Sequence, residues 1–222
     1  MCTAAHVLQQ VESAQDSGVE LSDWHINDTS VRGRGHRAYP IQSYDRRRAW
    51  QHRDDQLGID IGLWVLDQLA AKNSERMGKA AISSSDVAWP LGPNVECWVI
   101  VGYPGSHLRV LGNYVEQALY KLRVTPLEGC PDSWRPKYEE SLGCFGHIDS
   151  FDDPDWKNLN IEGMSGGPVF GVFRKSPEYA ELKLVGVQSG WMKTTGNVLV
   201  CPMGEILKIF ENLINQSSEA PS

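Results

Sequence analysis

Ser165 lies in Gly163-Met164-Ser165-Gly166-Gly167-Pro168-Val169, a serine set among glycines just before a strand-like run, Pro168 to Phe173. A serine hydroxyl attacks a carbonyl only when a neighbouring base takes its proton. A base and an orienting acid both exist elsewhere in the chain. Thr3-Ala4-Ala5-His6 supplies an imidazole, and Asp60-Ile61-Gly62-Leu63-Trp64-Val65-Leu66 supplies a carboxylate at the head of an apolar run. A carboxylate in that setting must be hydrogen-bonded or paired, because burying it alone is costly. A histidine would satisfy it. The three together would suit hydrolysis of an acyl bond, with Ser165 attacking, His6 shuttling the proton and Asp60 steadying the imidazole.

These three stretches resemble the signatures of trypsin-like serine peptidases, in that family's order of histidine, aspartate and serine. The resemblance implies an all-β chain of two six-stranded antiparallel Greek-key barrels with a C-terminal helix. It implies a serine endopeptidase working through an acyl-enzyme, with His6, Asp60 and Ser165 as the triad and the N–H groups of Gly163 and Ser165 as the oxyanion hole. A glycine at 163 suits a turn that needs positive φ. It also implies a substrate strand laid against Val187-Gln188-Ser189-Gly190-Trp191, with Ser189, Gly190 and Trp191 as binding residues. The pocket floor is then expected near Leu159, an apolar residue that argues against a Lys or Arg preference.

The sequence departs from the family in three places. Met164 stands where zymogen-type relatives carry the aspartate that pairs with a freed N-terminus, so no such switch is expected. The cysteines that flank the histidine and serine in secreted relatives are missing. Only five residues precede His6, so the first barrel is expected to be incomplete, with nothing upstream to clamp the histidine and a partner covering the open side. A peptidase-fold module that binds peptides or a protein partner without cutting is the alternative. An α/β-hydrolase is disfavoured, because Gly167-Pro168-Val169 leads into a strand rather than a helix.

Composition narrows the classes. A chain of 222 residues with 41% hydrophobic content can bury a core, and a net charge of −7 argues against a nucleic-acid partner. No apolar run reaches membrane-spanning length, and the start has no signal-peptide pattern. The five scattered cysteines contain no C-x-x-C pair, which gives no reason to expect a metal or other cofactor. They read as free thiols in a reducing, cytoplasmic setting. The acidic stretch Asp152-Asp153-Pro154-Asp155 lacks the ligand spacing of a calcium loop.

The elements that must position these groups follow from periodicity. Val7, Leu8 and Val11 predict a short helical turn after His6. Residues 16–52 read as polar loops with weak strands, and Ile59 to Leu66 as a buried strand. Residues 81–94, rich in Ser, Pro and Gly, read as a linker between a partial N-terminal barrel (1–80) and a C-terminal barrel (95–222). Strands are expected at Val95–Tyr103, Gln117–Thr125, Ser141–Asp149, Gly167–Phe173, Leu182–Gln188 and Asn197–Cys201. Ile206, Phe210, Leu213 and Ile214 share one face of a helix that Pro202 is placed to start.

Overall fold

The computed structural model describes residues 1–19, 25–27, 38–40, 44–76, 81–88, 95–107, 109–111, 114–116, 118–138, 142–150 and 160–218. In chain order the elements are β1 (Cys2–Thr3), α1 (Ala5–Asp16), β2 (His25–Asn27), β3 (Ala38–Pro40), β4 (Ala49–Asp54), β5 (Ile59–Trp64) and α2 (Gln68–Arg76). They continue with β6 (Val95–Gly102), β7 (Arg109–Leu111), β8 (Tyr114–Glu116), β9 (Tyr120–Pro126), α3 (Arg135–Tyr138) and β10 (Cys144–Ile148). The last are β11 (Pro168–Ser176), β12 (Tyr179–Met192), β13 (Asn197–Pro202) and α4 (Met203–Ser218). No described helix is long and apolar enough to cross a membrane.

The C-terminal half closes as a six-stranded antiparallel barrel in the order β10-β13-β12-β11-β6-β9. Its interior is filled by inward residues of successive strands, including Trp98, Ile100, Leu122, Val124, Val169, Val185, Val198 and Val200. Closure removes the exposed strand edges that an open sheet would carry. The expected strands are present with shifted ends. β12 is longer than its apolar run, because its first residues form a hairpin with β11 whose outer positions are solvated. The expected C-terminal helix is α4, which starts just after Pro202.

For the N-terminal half an incomplete barrel is expected. Among the described residues it is no six-stranded barrel. It is a three-stranded sheet, β1-β5-β4, with a separate β2–β3 pair. Strand alternation gives β5 two different jobs. Ile59, Ile61 and Leu63 point toward the barrel and pack with Leu184, Val187, Cys201, Met203 and Ile206. Trp64 points the other way, into a cluster with Leu8 and Tyr44. Gly62 shares that second face, and a Cβ there would meet Leu8 Cδ1 at 2.7 Å, so its lack of a side chain lets α1 lie close on the sheet.

The expected short turn after His6 is a twelve-residue helix. Its second half carries Glu12 and Asp16, which the sequence pattern alone leaves without partners. Tyr44 Oη donates to Glu12 at 2.7 Å, and Arg46 reaches Asp16 at 3.0 Å and Glu12 at 3.5 Å. The histidine segment is therefore clamped from downstream, through Tyr44 and Arg46. α1 of the same chain lies on one face of the sheet. Residues 68–76, between the apolar strand and the expected linker, form α2. Of the linker, residues 81–88 carry a turn of 3-10 helix at Ser84–Asp86, and Val87 bridges to Leu184.

Candidate active site

Asp60 lies on the face of β5 that α1 covers, as its spacing from Gly62 and Trp64 requires. α1 begins at Ala5, and its N-cap residue, Ala4, makes no side-chain capping bond. The first amides of a helix need acceptors. Asp60 provides one from across the sheet: its Oδ1 accepts from the His6 backbone N–H at 3.1 Å. Its Oδ2 lies 2.5 Å from His6 Nδ1. One carboxylate therefore caps the helix and holds the ring that the helix carries, and its negative charge sits at the positive end of the helix dipole. With Nδ1 engaged, Nε2 is the ring nitrogen left to handle a proton. The His6 side chain is 31% exposed and that of Asp60 13%, so the ring is reachable while the acid is screened behind it.

Ser165 is partly exposed, in a turn fixed from three sides. Met164 anchors it from within: it is 1% exposed, belongs to the barrel core, and packs against Gly102. Methionine thus stands as a core side chain where an ion pair was ruled out from sequence. On the barrel side, Gly166 N donates to Gln188 O at 2.9 Å and Gln188 N donates to Gly167 O at 3.0 Å. On the histidine side, a Cβ on Gly166 would lie 2.5 Å from Ala4 N and 2.6 Å from Thr3 Oγ1. The serine turn therefore touches the backbone two residues ahead of His6.

The turn needs its glycines. Gly163 has φ +94° and Gly166 φ +84°, a region that side-chain-bearing residues rarely enter. Its amides fall into two groups. Those of Glu162, Met164, Gly166 and Gly167 each donate to an internal acceptor. Those of Gly163 and Ser165 have no acceptor among the described residues. No hydrogen bond joins Ser165 to His6 among the described residues either.

The remaining expected site residues are divided. Ser189 lies at a bulge in the β12–β13 pairing, and its hydroxyl points to backbone, 3.2 Å from Gly58 O and 3.3 Å from Leu199 O. That contact and a bond from Leu142 N to Leu57 O at 3.2 Å tie the β4–β5 hairpin to the barrel. Gly190 and Trp191 continue β12 and border an open cavity of about 360 Å³. Sequence reasoning missed the facing wall of that cavity, where Trp134, Lys137 and Tyr138 stand. Their only signal is an aromatic pair at i and i+4 in a loop between two strands. Leu159 and the acidic stretch 152–155 lie outside the described residues. No cluster of three metal-binding side chains occurs among the described residues. His147 is bound to Asn197 at 3.2 Å, and His52 is exposed on β4.

Five thiols are present and all are free. Burial pushes the Cys97, Cys144 and Cys201 thiols up from their usual range, which suppresses the thiolate that a cysteine nucleophile would need.

No family model matches the chain, and no curated protein matches it. Among solved structures, it is similar to the murine norovirus NS6 protease, an inactive cysteine-to-alanine mutant with a C-terminal extension, at 12% identity. The likeness covers 90% of this chain and 82% of that one, with a TM-score of 0.39, a level that bears on neither fold nor chemistry.

Proposed function

We propose that this chain is a serine-type endopeptidase of the trypsin-like fold, with His6, Asp60 and Ser165 as its triad. The observation that carries the reading is the doubly held His6–Asp60 pair, set at the backbone segment that the Ser165 turn touches. The roles follow from the chemistry. Ser165 Oγ attacks the scissile carbonyl while His6 Nε2 takes its proton. His6 then returns the proton to the leaving amine, and a water repeats the sequence to free the acyl group. Asp60 holds the tautomer and balances the imidazolium. The oxyanion is received by the two amides left without acceptors, Gly163 and Ser165, and each such donor is worth about 3–4 kcal/mol of barrier.

The substrate direction follows from the strand edges. β12 carries β13 on one side, while β11 leaves its other side at the Gln188–Gly167 contact. A peptide taking up the vacated edge antiparallel to residues 189–192 brings its C-terminal end to Ser165. Its carbonyl is then the one attacked, and the residues before it run past Gly190 and Trp191.

A fluorophosphonate probe tests the reading. It is expected to label Ser165 of the native chain, and Ser165→Ala and His6→Ala are each expected to abolish labelling. Absence of labelling in folded wild-type protein would overturn it. One observation favours the alternative, a peptide-binding module that does not cut: Ser165 and His6 share no hydrogen bond. Such bonds are often long before substrate arrives, so labelling decides between the two.

A further inference from the structure

Asp60 has a charged neighbour that the triad roles leave unused. β4 and β5 pair so that Arg53 stands directly opposite Asp60. Cross-strand partners in an antiparallel pair share a face, with their Cβ atoms about 4.5–5.5 Å apart. Arg53 therefore projects from the face on which Asp60 holds His6. A guanidinium so placed matches a carboxylate with its planar fork of donors. Among the described residues, however, it makes no bond to Asp60. Arg53 Nε donates to Asp55 Oδ1 at 3.0 Å instead. The turn between the strands sets that choice. Asp54 Oδ1 accepts from the Gln56 and Leu57 amides, both at 2.9 Å, and so closes the turn. Asp55, the next residue, is left with a carboxylate that Arg53 can take. The hydrogen bond to Asp55 raises the Arg53 guanidinium above its ordinary range, the Asp55 charge adds to this, and the Asp60 charge contributes a smaller part.

We propose that Asp55 is a positioning residue: it holds the Arg53 guanidinium off Asp60, so that the Asp60 carboxylate serves His6 alone. The inference rests on the triad reading proposed above and adds a residue that acts on its acid. Both Asp60 oxygens are engaged by His6, Oδ1 by the backbone amide and Oδ2 by Nδ1. A guanidinium arriving there would compete for the same lone pairs. It would also set a positive charge beside the ring that must become imidazolium when Ser165 gives up its proton. Both effects slow the attack. The Arg53 side chain is 47% exposed and that of Asp55 59%, so the pair itself adds little to folding. Its effect lies in where it leaves the guanidinium.

The test is a double-variant cycle on the full chain, read in two ways. One is the rate of fluorophosphonate labelling. The other is the low-field proton NMR signal of the His6 Nδ1–H bonded to Asp60, identified by its absence from His6→Ala. Asp55→Ala is expected to slow labelling about three-fold, the scale of an exposed ion pair, and to shift the signal upfield. Arg53→Ala alone is expected to stay within about two-fold of the wild type. Arg53→Ala added to Asp55→Ala is expected to restore both rate and signal, which a turn merely damaged by the first substitution would not allow. A signal that Asp55→Ala leaves in place, a shift that Arg53→Ala fails to reverse, or no low-field signal in the wild type would overturn the inference. The two measurements separate the claims. Wild-type protein that does not label removes the peptidase reading, and the signal alone then decides this one. Labelling with a signal indifferent to Asp55→Ala removes only this one.

Discussion

Gly166 and Ala4 approach so closely that a single methyl group on the first would stand 2.5 Å from the amide nitrogen of the second. The neighbours on that side include main chain, Ala4 N and Thr3 Cα, so no side chain can swing aside to make room for it. Gly166→Ala is therefore expected to push the serine turn away from the histidine segment. It also forces alanine to φ +84°, at a cost of about 1–3 kcal/mol. Gly18, at φ +82° with nothing within 4 Å of its added Cβ, provides the control for backbone strain alone. Urea denaturation should show both variants destabilised and Gly166→Ala more so. Fluorophosphonate labelling should fall at least ten-fold for Gly166→Ala and stay unchanged for Gly18→Ala.

Asp60 has two separable tasks. Asp60→Asn keeps an oxygen to accept from His6 N–H but presents the wrong group to the ring, so hydrolysis should fall by about 10⁴ with little change in melting temperature. Asp60→Ala also removes the cap that Asp60 gives α1, worth about 1 kcal/mol. It should melt a further 2–4 °C lower, roughly, for a chain of this size. Calorimetry of the two variants distinguishes the tasks.

Met164 is a core residue next to Ser165. Met164→Leu keeps volume and polarity and should cost under about 1.5 kcal/mol, with labelling retained. Met164→Asp should be destabilised by several kcal/mol, because a fully buried carboxylate would gain no partner there. Circular dichroism during urea titration measures the difference. A stable, active Met164→Asp would show that an ion pair is available to this turn after all.

Iodoacetamide at neutral pH should leave serine labelling intact. Cys201 is fully buried and its thiol is held above the usual range by burial, so it should stay unmodified in the native state. Only the thiolate reacts, and a raised pKa delays its appearance. Any alkylation of Cys144 should therefore rise with pH later than that of a free thiol. Mass spectrometry of the alkylated peptides across a pH series reads both effects.

The second half of the molecule was legible because its strands alternate or run apolar between clear turn residues. The C-terminal helix was legible from Ile206 and Phe210. The pairing of His6 with Asp60 could be anticipated from residue types, since a carboxylate at the head of an apolar strand needs a donor. The clamp on α1 could not. Tyr44, Arg46, Glu12 and Asp16 read as ordinary surface residues until the sheet brings them together. The extent of α1 was hidden for a similar reason. Its polar face is long and its buried face holds only Ala5 and Leu8, so periodicity showed one turn where the structure has three. The cavity wall from Trp134 to Tyr138 was obscured because its meaning depends on Trp191, which is distant in sequence.

One face of the sheet that carries Asp60 borrows its interior from the barrel. Ile59, Ile61 and Leu63 find their apolar neighbours on β12, on β13 and at the start of α4. Truncating Met203 or Ile206 is therefore expected to loosen the strand that holds Asp60, far from either residue in sequence.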